Sequence, residues 1–309
     1  MSKGKSSIEQ QMDKIFRHAR MGSYGTRSRY KDSCTVFVRW LVEEFRTQNL
    51  RNLQDKHLAA YVKYRQSQGK SPKTIKNDLS AIRYMHDQVS RPRYELSDNK
   101  TLQEQYNITL EKTPEVTSNR AWTNEEYYKM LDLARRKGRH DVADVIVLCR
   151  TMGLRITESV AISRAQAEKA LRTGFHYVQN EAKGGRWRYV PLSPEAKEVF
   201  ERRMEKTPRG GRLFIDIENG EKTHEVANKV AEFIRQHRDE IETEEGRKLR
   251  YWNGKSEKLT MHGLRYAYVQ ERLKQEEKKG KSKKEAAQKI TREVGHNRTE
   301  VLNVYSDFY

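Results

Sequence analysis

Three short segments in the second half of the chain concentrate arginine, histidine and tyrosine. They are Thr151-Met-Gly-Leu-Arg155-Ile-Thr-Glu158, His262-Gly-Leu-Arg265, and Gly295-His296, with Tyr305 nine positions beyond that histidine. Between the first two lies Lys183, followed by Gly184-Gly185. An arginine fork gives paired, permanently charged hydrogen bonds that fit a phosphate. Breaking a phosphodiester without a metal needs such donors on the non-bridging oxygens, where charge builds. A tyrosine hydroxyl is an oxygen nucleophile, and lysine and histidine move protons. The set therefore suits phosphoryl transfer. No Walker loop, GxGxxG, HExxH, serine-hydrolase elbow or acidic cluster fit for two metals occurs in the chain. A metal-dependent nuclease has little support, and neither metal nor cofactor is expected.

The bulk charge points the same way. Lys and Arg number 62 against 43 Asp and Glu, for a formal charge of +19. Each phosphate neutralised by a basic side chain releases condensed counterions, so such an excess favours a polyanionic partner. Anionic lipid is the alternative that charge alone leaves open, because net charge speaks of partners and not of fold. Cys34 and Cys149 lie inside apolar helical stretches far apart in sequence and read as buried small hydrophobes in a reducing cytosol. The N-terminal stretch MSKGKSSIEQQMDK has no apolar core for a signal peptide, and no run of about 18 apolar residues predicts a membrane span.

The motifs, taken in order, resemble those of the tyrosine recombinases, the phage-integrase family. Thr151 to Glu158 is similar to that family's TGLRxSE element, and His262 to Arg265 to its HxLR element. Gly295-His296 with Tyr305 resembles its LGHxxxxxTxxxY tail. The stretch Glu181-Ala-Lys183-Gly-Gly-Arg-Trp-Arg-Tyr-Val-Pro191-Leu is similar to its KGxKxRxVPL turn, and SPKTIKNDLSAIRYM upstream resembles its helical core-binding domain. The resemblance spans roughly residues 10–309. Each motif alone is weak; four in order, with the histidine-to-tyrosine spacing kept, are specific.

The resemblance implies a role for each residue. Arg155 and Arg265 clamp the scissile phosphate, and Tyr305 attacks it to leave a 3′-phosphotyrosine that stores the bond energy for rejoining. Lys183, on its glycine turn, protonates the leaving 5′-oxygen. His262 and His296 hydrogen-bond the phosphate, and one of them helps deprotonate Tyr305. Glu158 buttresses Arg155 from the next helical turn. Implied partners are double-stranded DNA and further copies of the chain, as a tetramer on paired sites, at the nucleoid in the cytoplasm. Three departures argue against one of the best-known subfamilies. Tyr266 stands where many members have histidine, 31 positions separate Arg265 from His296, and the usual threonine before the tyrosine is replaced, with Thr299 nearby. The chain stops four residues after Tyr305, so a subunit-exchange segment is expected elsewhere or beyond a truncated end, and residues 1–25 are too few for an arm-binding domain. Rival readings are a type IB topoisomerase or telomere resolvase using the same residues, and a DNA-binding regulator without catalysis.

The elements that must position these residues read as mainly α with a small β-hairpin (α+β), in a two-domain DNA clamp. Residues 1–92 form a helical core-binding domain, 93–117 a linker and 118–309 the catalytic domain. Val36, Phe37, Trp40, Leu41 and Phe45 fall at helical spacing, and Ser71-Pro72 opens a helix with the stripe Ile75, Leu79, Ile82 and Met85. Lys73, Lys76 and Arg83 on its other faces are candidate DNA contacts. Residues 91–119 lack sustained periodicity. Thr123 and Glu126 have capping-box spacing, followed by a buried helix that ends at Gly153. Phe175 to Val178 and Trp187 to Leu192 form a hairpin about Gly184-Gly185. Helices follow at Pro194–Met204, Glu225–Glu240 and His262–Lys274, and the charged run 275–284 reads as a mobile surface insertion. Residues 286–309 read as two short helices about Gly295-His296.

Overall fold

The computed structural model describes residues 5–19, 22, 24–112, 119–252 and 254–295, with the side chains of Tyr24, Lys183 and Lys255 outside that description. The chain divides into two compact units, Met1–Pro114 and Glu115–Tyr309. The described part is mainly helical with two small antiparallel hairpins, the α+β class expected. Among the described residues no helix is long and apolar enough to cross a membrane.

The first unit is built from α1 (Ser7–His18), α2 (Tyr24–Phe45), α3 (Asp55–Ser67), α4 (Pro72–Asp87) and α5 (Asn99–Tyr106). Ser71 caps α4 by accepting from the Thr74 N–H at 3.2 Å, and Pro72 takes the first helical position, where a missing N–H costs nothing. Ile75, Leu79, Ile82 and Met85 are all buried, and α4 packs along α2. On α2 the buried line is Cys34, Phe37, Val38 and Leu41, whereas Val36 and Phe45, expected on the same stripe, are exposed. A buried ion pair, Arg65 Nε to Asp78 at 3.0 Å, ties α3 to α4. Cys34 and Cys149 are free and buried.

The expected linker 93–117 is corrected by the structure: residues through 112 fold onto the first unit. Asp98 caps α5 by accepting from the Thr101 N–H at 2.8 Å, and Leu102, Ile108 and Leu110 enter the core. Three apolar residues at irregular spacing give no period to read, yet each fills a place against neighbouring helices.

The second unit contains α6 (Asn124–Arg136), α7 (His140–Thr151), α8 (Ile156–Val160), α9 (Arg164–Thr173), β1 (Phe175–Val178), β2 (Arg188–Pro191), α10 (Pro194–Glu205), α11 (Thr223–Ile241), α12 (Glu244–Leu249), β3 (Tyr251–Trp252), β4 (Lys255–Ser256), α13 (Met261–Lys278) and α14 (Lys283–Glu293). The capping box of α6 is present, with the Glu126 N–H donating to Thr123 Oγ1 at 3.2 Å and the Thr123 N–H to Glu126 Oε2 at 3.0 Å. From Val142 to Arg150 every residue of α7 is buried, as expected of a helix packed by α6, α8, α10, α11 and α13. β1 and β2 pair antiparallel with Val178 opposite Arg188 and His176 opposite Val190, so these four side chains share the inner face.

The charged run 275–284 is not an insertion without structure. α13 continues through it to Lys278 and α14 begins at Lys283. Near the end of α13 the buried Glu276 carboxylate receives Arg272 at 3.4 Å, Lys279 at 3.7 Å, Lys281 at 2.5 Å and Lys289 at 2.9 Å. Ala286 and Ile290 on α14, and Val294 just past it, pack against Tyr266, Val269 and Leu273 of α13. Composition shows the charges; it hides that one carboxylate gathers four of them and that a short apolar stripe anchors the second helix.

Candidate active site

The C-terminal end of α7 leads into the first of the three chemical segments. Gly153 takes a positive φ of 61°, and an added Cβ would lie 2.3 Å from the Tyr268 ring. The turn needs glycine for both its backbone and its contact. Arg155 follows at the head of α8. Its backbone N–H donates to Glu158 Oε2 at 2.8 Å and its Nη1 to Glu158 Oε1 at 2.7 Å. The Arg155 side chain keeps 20% of its surface exposed.

Glu158 is fully buried and bound a second time, by Arg188 of β2. Arg188 Nη1 donates to Oε1 at 3.0 Å and Nη2 to Oε2 at 2.7 Å. Burial alone would raise the Glu158 carboxyl. The hydrogen bonds and charge of Arg188, with the charge of Arg155, overcome that and hold it at about 2. It is a carboxylate throughout the working pH range and acts as the common anion for two arginines.

Arg265 lies in the first turns of α13 and is 1% exposed. Its Nη1 donates to the Gly153 carbonyl at 2.5 Å and its Nη2 to the Val294 carbonyl. One guanidinium thus joins the turn before Arg155 to the segment just past α14. That end of α14 is held further by Arg188 Nε on the Glu293 carbonyl at 2.8 Å, and by Tyr268 Oη at 2.9 Å and Arg272 Nη2 at 2.8 Å on the Glu293 carboxylate. Cations against the last carbonyls complement the negative end of the helix dipole. Gly295 follows with φ of 66°.

His262 is exposed one turn before Arg265 on α13, its ring edge-on to Tyr266 at 5.3 Å between centroids. Tyr266, the departure from the family pattern, is itself buried. Lys183 begins the turn between β1 and β2, where Gly184 and Gly185 both take positive φ; the lysine side chain is outside the description. His296 and Tyr305 lie outside the described residues. The structure thus brings Arg155, Glu158, Arg265 and the approach to His296 into one hydrogen-bonded lattice, with the base of the Lys183 hairpin joined through Arg188.

Among the candidate DNA contacts of the first unit, Lys73 is exposed, whereas Lys76 donates to the Glu111 carbonyl at 2.7 Å. Arg83 donates to the Ser97 carbonyl at 2.7 Å and to Asn99 Oδ1 at 2.8 Å, so its fork holds the start of α5. Sequence reasoning missed Arg188, Tyr268 and Glu293. A signal for Arg188 was present: the hairpin period places it on the inner face with Val190, where an arginine needs a carboxylate. Among the described residues no group of three or more His, Cys, Asp or Glu is spaced to hold a metal.

His176 also faces the interior, 5.9 Å from the Phe200 ring centroid. Burial, then the charge of Arg188, pushes it down to about 4. A folded value below the unfolded one means that the unfolded chain binds the proton more tightly. The neutral imidazole therefore supports the fold above about pH 6.5, and that support fades as pH falls toward 4. Between pH 7 and 4.5, His176→Leu should lose about 2–3 kcal/mol less stability than wild type in denaturant titrations. Equal losses in the two proteins would show that His176 is not the group responsible.

Residues 5–94 match the sequence model of the family described as "Phage integrase, N-terminal". Among solved structures, lambda integrase bound to DNA aligns with a TM-score of 0.64 and 16% identity, covering 98% of this chain and 96% of that one. The Tn1549 transposon integrase in complex with transposon right-end DNA aligns with a TM-score of 0.58 and 15% identity, over 97% and 95%. The XerH site-specific recombinase bound to a palindromic difH substrate aligns with a TM-score of 0.58 and 19% identity, over 96% and 80%. No curated protein sequence matches the chain. Residues 5–94 thus resemble a phage-integrase N-terminal domain, and the chain shares the fold of these integrase and recombinase structures.

Proposed function

We propose that this protein is a site-specific DNA recombinase that integrates or excises a mobile element. It cuts and rejoins duplex DNA through a 3′-phosphotyrosine on Tyr305, without metal. The observation that carries the reading is the lattice in which Glu158 and the carbonyls of Gly153 and Val294 hold Arg155 and Arg265. Arg155 is fixed with one edge of its fork left for a phosphate, while Arg265, held by two backbone carbonyls, exchanges one of them for a phosphate oxygen on binding.

In the cleavage step the Tyr305 oxygen forms a bond to phosphorus as the bond to the 5′-oxygen breaks. The tyrosine proton passes to a base, His262 or His296, and Lys183 gives a proton to the departing 5′-oxygen, which leaves as a hydroxyl. Arg155 and Arg265 carry the charge on the non-bridging oxygens. Rejoining is the same exchange in reverse, so no outside energy source is required. The unit Met1–Pro114 serves as the core-binding domain and Glu115–Tyr309 as the catalytic domain. Lys73 and the partly engaged Lys76 lie along the DNA-facing side of the first, whereas Arg83 is spent on the start of α5. The protein acts on double-stranded DNA in the cytoplasm as a tetramer on paired sites, as the DNA-bound lambda integrase tetramer does on a Holliday junction.

Strand exchange tests this. Two labelled duplexes carrying the ends of the element that encodes the protein are incubated with it in a chelating buffer. Recombinant joints and a four-way intermediate are expected. Relaxation of supercoiled plasmid with no joints would assign a topoisomerase instead, and binding with neither product would assign a regulator.

A further inference from the structure

We infer that Arg188 is a positioning residue that keeps three separate catalytic segments in register, an inference that rests on the recombinase reading above. The residue is 7% exposed, and its guanidinium reaches two of these segments through hydrogen bonds. The paired bonds from Nη1 at 3.0 Å and Nη2 at 2.7 Å fix both oxygens of Glu158, the carboxylate that also receives the backbone and Nη1 of Arg155. Nε donates at 2.8 Å to the Glu293 carbonyl, where α14 gives way to the chain toward His296. The third segment is its own: Arg188 begins β2, opposite Val178, in the hairpin whose turn starts at Lys183.

The contact with Gly295 shows how close the fit is. A Cβ there would stand 3.1 Å from both Cδ and Nη1 of Arg188. Glycine lets the chain cross the arginine side chain before it enters the site. A stabilising role alone does not call for this arrangement, because an apolar group of similar volume replaces a buried ion pair at little or no loss. What an apolar pair does not supply is a planar fork whose three edges bind two different stretches of backbone and carboxylate in fixed relation. Without that fork Glu158 keeps Arg155 but loses its own orientation, and the end of α14 loses one of the two arginines on its final carbonyls. Errors of about 1 Å in a catalytic arrangement cost on the order of 10²-fold in rate.

The test compares single-turnover cleavage of a nicked duplex at saturating protein with equilibrium DNA affinity and thermal unfolding. Three proteins are used: wild type, Arg188→Lys and Arg188→Met. The lysine keeps the buried charge but not the fork, and the methionine fills the volume while Glu158 stays paired with Arg155 at 2.7 Å, so neither variant leaves the buried carboxylate without a cation. Positioning predicts a saturating cleavage rate lower by roughly 10–10²-fold, with DNA affinity within about threefold of wild type. A folded variant that cleaves at the wild-type rate, or whose rate is fully restored by raising DNA concentration, overturns the inference. A wild type that binds its site and never cleaves overturns the recombinase reading itself, and this inference with it.

Discussion

Arg155→Ala is expected to slow single-turnover strand cleavage by about 10²–10³-fold at saturating DNA, the usual loss for one donor on a developing oxyanion. The geometry singles out this arginine. Nη1 is committed to Glu158 at 2.7 Å, while among the described residues Nε and Nη2 make no hydrogen bond. The side chain is held from one edge, with its other edge open to a phosphate. Arg265 is anchored on both amino groups by backbone carbonyls, so its removal should also disturb the turn at Gly153 and the end of α14. Arg155→Ala separates catalysis from structure more cleanly. Its thermal midpoint should stay close to that of wild type, because the backbone N–H of residue 155 still donates to Glu158 and Arg188 still pairs with it. Arg155→Lys should fall between the two, restoring charge without the fork. A loss of rate no larger than the loss of affinity would remove Arg155 from the clamp.

The second large effect is on stability, away from the chemistry. Glu126 and Arg250 form a pair with both side chains fully buried, Nη1 to Oε2 and Nη2 to Oε1 both at 2.7 Å. Glu126 also accepts the Thr243 N–H at 3.2 Å, and Arg250 reaches Glu242 at 3.0 Å. Gly246 is where it is because a Cβ would lie 2.0 Å from the Glu126 carboxylate. Burial works against the Glu126 charge, and the Arg250 hydrogen bond and charge together with the backbone N–H groups of Thr123 and Thr243 outweigh it, holding the carboxyl below its ordinary range. Glu126→Ala leaves the guanidinium buried with half its compensation, and should cost about 3–5 kcal/mol in chemical denaturation. Replacing Arg250 by Met in the same protein should recover much of that. A loss under about 1 kcal/mol for Glu126→Ala would mean that water or a rearranged Glu242 takes over the charge.

These two sites also mark how far the sequence could be read. The Thr123–Glu126 capping box was legible from spacing, because a cap is a local arrangement set within four consecutive residues. Its second function was not, because Arg250 lies 124 positions away and only the packed unit brings it near. The same division holds at the candidate site. Glu158 as the support of Arg155 follows from one helical turn, whereas Arg188 on the same carboxylate comes from a strand 30 positions on, and Glu293 lies 105 positions beyond Arg188. The β1–β2 hairpin and the stripe of α4 were legible because their periods are strong. Residues 93–112 and 275–284 were misjudged because few apolar residues serve as anchors there and polar ones cover them. The 31-residue gap after Arg265, read as an insertion, holds the turn-and-helix unit whose end the arginines grip. His296 and Tyr305 rest on motif spacing, since both lie outside the described residues.

The central claim is that Tyr305 takes the phosphate. The direct measurement is the site of attachment in the covalent complex. A nicked duplex that traps the cleaved strand is incubated with the protein in chelator, the complex is digested with protease and nuclease, and the nucleotide-bearing peptide is sequenced by mass spectrometry. A single modified peptide carrying the 3′-phosphate on Tyr305 is expected, and no adduct from Tyr305→Phe, which should still bind the duplex. Attachment at another residue such as Tyr309, or an undiminished adduct in Tyr305→Phe, would contradict it.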